Sequence, residues 1–234
     1  MKNTLAPEIN NNIIPCARQM WVNKQIKTIY FENLKVCSTS LSKMLWLSED
    51  ITKLYGPSWQ HVQVDTNTLE ERYKDYFKFG FVRNPWSRMV SGYLYMKQSP
   101  KPCAPERGSQ VPTMYVHPLE NGSWTTLDFK TFTELVCEKK YINKHWEHQL
   151  SYVPTDKINL DFVGRFENFD KDWEYVRNQI QKANPNFIGK MVHLMPDSLP
   201  RDKKYDYRSF YTEDLKQKVK QHYIKDINTF QYEF

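Results

Sequence analysis

Two segments of this chain have the pattern of a buried strand, a short polar loop and an amphipathic helix, in that order. In the first, residues 26–33 (IKTIYFEN) are β-branched and aromatic, and apolar residues recur at helical spacing from Leu41. In the second, residues 76–83 (YFKFGFVR) are strand-like, Asn84 can cap a helix, and Pro85 suits its first position. Such units build parallel sheets, because a crossover helix lets the next strand run in the same direction. We therefore predict an α/β fold with a central parallel sheet in a single domain.

The rest of the chain continues the alternation of helices and strands. Residues 1–25 are Asn-rich and lack a period, and we interpret them as an N-terminal arm that precedes a domain over 26–234. The proline-rich stretch 98–125 is too long for an ordinary connection, so we expect a functional loop. The other expected elements are, in order, a first helix that continues to Leu54, a helix over 86–97, a helix with an apolar face over 129–136, a strand over 159–164, a helix capped by Asp170, a last helix carrying Leu215, Val219 and Tyr223, and an aromatic tail over 226–234 that packs on the domain.

Composition excludes several classes of protein. Aromatic residues make up 15% of the 234, which is too many for a disordered chain, and no apolar run approaches the ~18 residues of a membrane span. The N-terminus lacks the apolar region of a signal peptide, so we expect a cytoplasmic location. The four cysteines form no CxxC motif, so we expect reduced thiols and no metal site. The net charge of +6 suits an anionic ligand.

Both predicted loops carry side chains that suit an anion. Ligands of parallel sheets sit at the carboxyl ends of strands, where helix N-termini offer N–H groups and a positive dipole end. The first loop, 35–40, supplies one ammonium, three hydroxyls and a run of amides. The second segment, 83–91, supplies two guanidiniums and a serine downstream. The first loop lacks the glycines of a Walker A motif, and its lysine stands at the beginning, which disfavours a P-loop kinase.

These two loops, taken together, resemble those of the sulfotransferases that use 3′-phosphoadenosine 5′-phosphosulfate. Residues 35–40 (KVCSTS) resemble the family's 5′-phosphosulfate loop, and 81–91 (FVRNPWSRMVS) its 3′-phosphate motif. The carbohydrate-sulfotransferase-like branch (sulfotransferase family 2) matches further segments in order: 145–149 (HWEHQ) resembles its HWxPQ, 161–168 (DFVGRFEN) matches its DFVGRFEN, and 226–234 (DINTFQYEF) resembles its DIxxFGYxF. The likeness covers about 26–234.

Three positions depart from the family pattern. Leu34 stands where the family usually has proline, and His148 replaces the proline of HWxPQ. Ser38 stands where the loop often has glycine, and a serine with positive φ would be strained. Either the loop avoids that conformation, or the hydroxyl binds phosphate.

The resemblance implies a P-loop-NTPase-like three-layer sandwich. It also implies transfer of a sulfuryl group from this donor to an acceptor hydroxyl or amine by in-line displacement. The product nucleotide would be 3′,5′-ADP, and no metal is required. By analogy, Lys35 stabilises charge on the oxygen between sulfur and phosphate, while Arg83 and Ser91 hold the 3′-phosphate. The remaining residues expected at the donor, some on weaker grounds, are Cys37, Ser38, Thr39, Ser40, Arg88, Arg165, Arg201, Lys203 and Lys204.

The acceptor must also lose a proton, and two histidines are candidate bases. His61 follows the first helix, on a strand where related enzymes often carry the base, and His145 lies in the HWxPQ-like segment. A glutamate or another group stays open at this point.

We expect a carbohydrate or small-molecule acceptor, with the proline-rich loop 98–125 on the acceptor side, and neither nucleic acid nor a membrane as partner. We expect a cytoplasmic bacterial enzyme, unless the chain is a trimmed Golgi-lumenal catalytic domain. The alternative is a non-catalytic protein that binds a 3′-phosphoadenosine nucleotide or single-stranded nucleic acid. The acceptor's identity and the oligomeric state stay open.

Overall fold

The computed structural model describes residues 17–46, 59–98, 109–110, 126–191 and 205–234, and within these ranges it contains a five-stranded mixed sheet. The strands, in the spatial order β3-β1-β2-β4-β5, are β1 (Met20–Asn23), β2 (Thr28–Phe31), β3 (Trp59–His61), β4 (Phe77–Val82) and β5 (Phe162–Arg165). Strands β2, β4 and β5 are parallel, whereas β1 is antiparallel to both of its neighbours. The prediction of a parallel sheet is therefore right for those three strands and wrong for β1.

Strand β1 lies within 1–25, which we expected to be an arm, and that expectation is wrong for residues 20–23. Met20 and Val22 are buried on one face of the sheet, and Trp21 between them packs on the other. The Asn23 side chain then closes a tight turn, because its Oδ1 accepts two backbone N–H groups of the turn at 3.0 and 3.3 Å. The turn makes β1 and β2 an antiparallel hairpin. A four-residue strand beside an Asn-rich stretch is too short for its periodicity to stand out.

Seven α-helices accompany the sheet in the described ranges. They are α1 (Ser38–Trp46), α2 (Thr66–Arg72), α3 (Pro85–Gln98), α4 (Phe129–Cys137), α5 (Phe169–Ala183), α6 (Glu213–His222) and α7 (Ile224–Phe230). Asn84 caps α3 as predicted, since its Oδ1 accepts the N–H groups of Trp86 and Ser87. Asp170 lies in the first turn of α5 instead of at its cap, because the helix begins at Phe169. The predicted continuation of α1 to Leu54 lies outside the described residues.

The sheet lies between two layers of helices. On one face, Ile29 of β2 belongs to an apolar cluster with Leu69 of α2. On the other face, Tyr30 belongs to a cluster with Leu45 of α1 and Trp173 of α5. Both faces are therefore covered, as a sheet with parallel strands requires. The likeness to P-loop NTPases stays a prediction.

Helices α3, α4 and α6 meet in a further apolar cluster, which includes Met89, Phe132 and Val219. The C-terminal tail packs on the domain as predicted: Ile227 is buried in the same cluster, and the rings of Phe234 and Trp86 are 5.5 Å apart. This packing holds the start of α3 in place beside the end of β4.

Candidate functional site

Two polar loops leave neighbouring parallel strands at the same edge of the sheet. Residues 35–40 follow β2 and lead into α1, and residues 83–91 follow β4 and form the start of α3. Arg83 joins the two loops directly, since its Nη1 donates to the Lys35 carbonyl oxygen at 3.3 Å. The fold thus brings together the two segments whose residues suit an anion.

The Lys35 loop passes through two left-handed residues before α1 begins. Lys35 has φ 64° and Cys37 has φ 56°, a conformation that costs a non-glycine residue about 1–2 kcal/mol. Ser38 avoids positive φ and is the first residue of α1, so the strain expected there lies instead at its neighbour. With Thr39 and Ser40 it gives the first turn three hydroxyls and no acidic side chain. The N–H groups and dipole of this helix end favour an anion.

The Arg83 guanidinium is buried where the two loops meet. Its Nε donates to Ser87 Oγ at 3.0 Å, and its Cζ lies 3.9 Å from the centroid of the Phe166 ring. Burial lowers the pKa of Arg83, while the nearby Tyr205, Cys37 and Glu167 raise it. The group stays cationic, because the ordinary pKa of arginine is far above neutrality.

One face of α3 runs from Arg83 toward Lys35. Ser87, Ser91 and Tyr95 follow one another at four-residue steps, so their side chains share this face. Ser87 bonds to Arg83, Ser91 is 9% exposed, and the Tyr95 ring lies against the Lys35 ammonium, 3.8 Å from nitrogen to centroid. Ser91 therefore sits between the two cationic groups.

His145 contacts the same Tyr95 ring as Lys35, with the two ring centroids 5.0 Å apart. Asn143 Oδ1 lies 2.7 Å from His145 Nδ1 and also accepts the backbone N–H of His145 at 3.0 Å. Burial lowers the pKa of His145 to about 3, and the positive charges of Lys35 and Lys144 act in the same direction. The imidazole is therefore uncharged at neutral pH.

His61 ends the edge strand β3, at the same end of the sheet as the Lys35 loop, because β3 and β2 are both antiparallel to β1. Its ring packs edge-on against Trp21 at 5.2 Å, and Trp21 Nε1 donates to Glu32 Oε2 at 2.8 Å. Burial raises the pKa of Glu32, whereas this hydrogen bond and the charges of Lys144 and His61 lower it. A carboxyl group therefore lies near His61.

Gln149 is fully buried and ties the ends of β2 and β4 together. Its Oε1 accepts from Asn33 Nδ2 at 3.0 Å and from the Arg83 N–H at 2.9 Å, and its Nε2 donates to the Arg83 carbonyl at 2.8 Å. The buried Asp226 carboxylate in turn accepts the backbone N–H of Gln149 at 2.7 Å. Asn33 precedes Lys35 by two residues, so these bonds fix the spacing between the two loops.

Two arginines expected near a nucleotide bind other parts of the chain. Arg88, only 2% exposed, donates from Nε to the Leu34 carbonyl at 3.0 Å and from Nη1 to the Glu147 carbonyl at 2.6 Å. Arg165 donates from Nη2 to the Phe230 carbonyl at 2.5 Å. Both guanidiniums hold backbone, and their role at a nucleotide stays a prediction.

The predicted loops around the site are described only in part. Arg201, Lys203 and Lys204 lie outside the described residues, as does most of 98–125. Ser109 Oγ donates to the Ile142 carbonyl at 3.2 Å, and the Gln110 N–H donates to the Lys140 carbonyl at 2.7 Å. This part of the loop thus lies beside the segment that leads into the Asn143–His145 pair. Its role on the acceptor side stays a prediction.

Cys37 and Cys137 are free thiols in the described part of the chain, and Cys16 and Cys103 lie outside it. Burial raises the pKa of Cys37 to about 11 and that of Cys137 to about 12, so neither is an activated nucleophile. Among the described residues, no cluster of histidine, cysteine, aspartate and glutamate could hold a metal ion. The helices in these ranges include none that is long and apolar enough to cross a membrane.

A cavity of about 740 Å³ lies elsewhere, at the ends of α4, α6 and α7. His148, His222 and Asp226 are among the residues that line it, and the Lys35 and Arg83 loops contribute none. Its wall mixes acidic and basic side chains, so it does not select one sign of ligand charge. The chemistry of the side chains, and not the size of this cavity, points to the strand ends as the site.

Two joined strand-end loops, each with a cationic side chain and a helix N-terminus, have the chemistry that suits a ligand with two anionic groups. The family model of the sulfotransferases matches residues 18–233, and this chain belongs to the sulfotransferase family. The resemblance identified from the motifs is thereby confirmed.

The curated relatives lie in the carbohydrate branch. The chain is 26% identical to carbohydrate sulfotransferase 14 of Danio rerio over 117 residues, which are 48% of this chain and 32% of that protein. It is 23% identical to carbohydrate sulfotransferase 11 of Rattus norvegicus over 182 residues, which are 68% of this chain and 52% of that protein. The chain thus spans about half or less of the length of these relatives. No solved structure matches it.

Three residues of the site were not assigned from the sequence. Tyr95 could have been placed at the site from the sequence, since it continues the four-residue spacing of Ser87 and Ser91 in the 3′-phosphate motif. Gln149 lay in the HWxPQ-like segment without a role. Asn143 had no signal, because its contact with His145 depends on a local turn.

Proposed function

We propose that this protein transfers a sulfuryl group from 3′-phosphoadenosine 5′-phosphosulfate to a hydroxyl or amine of a carbohydrate acceptor. The observation that carries the proposal is the hydrogen bond from Arg83 to the Lys35 carbonyl, which holds two cationic loops together at neighbouring strand ends. Membership of the sulfotransferase family supports the reaction, and the names of the curated relatives support a carbohydrate acceptor.

The side chains of the two loops fit the two charged ends of this donor. Lys35 and the hydroxyls at the start of α1 suit the 5′-phosphosulfate, because this helix end carries N–H groups and no acidic side chain. Arg83 suits the 3′-phosphate, since a guanidinium can bind two phosphate oxygens at once, with Ser91 on the same face of α3. This division of roles follows the order of the family's two motifs.

The chemistry that the donor supplies is a sulfur centre with a good leaving group. The acceptor oxygen or nitrogen bonds to sulfur, the bond from sulfur to the phosphate oxygen breaks, and its electron pair leaves with 3′,5′-ADP. Lys35 stabilises the negative charge that develops on that oxygen. The two loops hold the reacting groups in line, as in phosphoryl transfer.

The acceptor proton goes to His61 in this proposal. A base must become cationic, and its surroundings decide how readily it does so. Glu32 and His61 interact favourably as opposite charges, whereas His145 faces Lys35 and Lys144, which disfavour an imidazolium. His61 thus has a carboxyl group nearby, whereas His145 lies beside cations, and we assign the role of base to His61 on that contrast.

Incubation with radiolabelled donor and a panel of carbohydrates tests the proposal. We expect Lys35→Ala to lower kcat about 10²–10³-fold while 3′,5′-ADP still binds, because the lost contact matters most in the transition state. Lys43→Ala, at an exposed position of the same helix, is the matched control and should keep full activity. Full activity of Lys35→Ala would remove Lys35 from the mechanism. Binding of 3′,5′-ADP without transfer to any acceptor would favour the non-catalytic alternative.

A further inference from the structure

We propose that Asn143 and His145 form a positioning unit for Lys35. Asn143 fixes the His145 imidazole in the tautomer with the proton on Nδ1, and the Nε2 lone pair, together with the Tyr95 ring, holds the Lys35 ammonium. The catalytic importance of Lys35 rests on the proposed function. The tautomer itself follows from the local hydrogen bonds alone.

The position of the imidazole proton follows from the two contacts of Asn143 Oδ1. This atom accepts the backbone N–H of His145 at 3.0 Å, so it must be the oxygen of the side-chain amide and not its nitrogen. An oxygen of this kind has no proton to donate. His145 Nδ1, 2.7 Å away, must therefore carry the proton, and the lone pair of the neutral ring lies on Nε2.

The surroundings of His145 keep the ring neutral. Partial burial disfavours the charged ring, and Lys35 from the loop after β2, Lys144 from its own segment and Arg88 from α3 are cations that act in the same direction. A protonated imidazole would repel the Lys35 ammonium, whereas a neutral one offers it an acceptor. The same arrangement that makes His145 a poor base thus makes it a good partner for Lys35.

The third element is the Tyr95 ring, which both groups contact. The Lys35 nitrogen lies 3.8 Å from its centroid, and the His145 ring lies 5.0 Å from it at a tilt of 35°. The electron-rich ring face attracts a cation but leaves it free to slide. An ammonium has three hydrogens to donate, and a hydrogen bond from one of them to His145 Nε2 would fix the ammonium so that the others point toward the sulfuryl donor.

The tautomer can be read without any assay of activity. Long-range proton–nitrogen correlation spectra of ¹⁵N-histidine-labelled protein distinguish a protonated Nδ1 from a protonated Nε2, and the His145→Gln variant assigns the signal. We expect the wild type to show the Nδ1–H form, and Asn143→Ala to show a shift toward the Nε2–H form. An Nε2–H form in the wild type, or no change in Asn143→Ala, would overturn the proposal.

The kinetic test separates positioning from general-base catalysis. We expect His145→Ala to lower kcat about 10–100-fold with little change in the affinity for 3′,5′-ADP, the range seen when a supporting partner is lost. His145→Gln should recover most of this loss, because its amide oxygen can accept near the Nε2 position, and it should leave the acid limb of the pH profile unchanged. If His145→Gln is as inactive as His145→Ala, or if it abolishes the acid limb, His145 is a base and the proposal is wrong. Absence of transfer by the wild type would contradict the proposed function alone, since the spectra still decide the tautomer.

Discussion

The amide of Gln149 allows the sharpest prediction of stability, because it is fully buried and all of its bonds are known. Gln149→Leu keeps a similar volume but leaves the N–H and the carbonyl of Arg83 without their partner, while Asn33 Nδ2 keeps its bond to the Phe81 carbonyl at 3.1 Å. Each buried backbone group left unsatisfied costs about 1–3 kcal/mol. We therefore expect Gln149→Leu to lower the free energy of unfolding by about 2–6 kcal/mol, a large share of the total stability of a domain.

Urea denaturation followed by tryptophan fluorescence measures this loss, and Gln149→Glu is the matched variant. That variant keeps an acceptor for the Arg83 N–H, so its loss should be smaller near pH 4 than that of Gln149→Leu. Burial would raise the pKa of the new carboxyl group above its unfolded value, so the folded state binds more protons, and stability should fall as the pH rises through neutrality. A loss below about 1 kcal/mol for Gln149→Leu, or a pH-independent Gln149→Glu, would refute the role of the amide.

Three further predictions follow from single contacts. Gly164→Ala places a Cβ 2.4 Å from the Phe81 ring and should lower the free energy of unfolding by about 1–3 kcal/mol. In Gly92→Ala the nearest atom is 3.5 Å from the new Cβ, and the helical position should raise the free energy of unfolding by up to about 1 kcal/mol. Equal unfolding midpoints for the two variants would contradict this. Burial lowers the pKa of His145 to about 3 and that of His222 to about 4, below the ordinary 6.5. As the pH falls, the unfolded chain therefore takes up protons before the folded one, and the free energy of unfolding should fall by about 1–2 kcal/mol per histidine from pH 7 to pH 5. An unchanged urea midpoint would argue against buried neutral rings. His61→Gln should lower kcat about 10²–10⁴-fold and keep its affinity for 3′,5′-ADP. Wild-type activity of this variant would exclude His61 as the general base.

The elements that the sequence predicted well are those with strong local signals. Strand β4 is marked by a dense run of aromatic and β-branched residues, and Asn84 and Pro85 then mark the start of helix α3. Strand β1 was missed because its pairing is decided by a turn at Asn23 and by distant partners, and four residues carry too little periodicity to reveal it. The prediction of a parallel sheet assumed that a helix connects each pair of neighbouring strands. It is wrong for β1, because a hairpin connects β1 to β2.

The residues of the candidate site also fall into those that a local motif predicts and those that depend on distant packing. Lys35 and Arg83 were predictable, because each follows a strand within a recognisable motif. The roles of Arg88 and Gln149 were not, since a guanidinium beside a phosphate motif and a buried amide acquire their partners only from the packing of distant segments. Likewise, two histidines could be named as bases, but only their charged neighbours distinguish them.

Titration calorimetry with 3′,5′-ADP and 5′-AMP is the most direct test of the two-loop site. We expect 3′,5′-ADP to bind about 10–100-fold more tightly than 5′-AMP, as for a charged hydrogen bond worth about 1.5–3 kcal/mol, and Arg83→Lys to remove most of the difference. Equal affinities for the two nucleotides, or a preference that survives in Arg83→Lys, would contradict the assignment of the 3′-phosphate to Arg83.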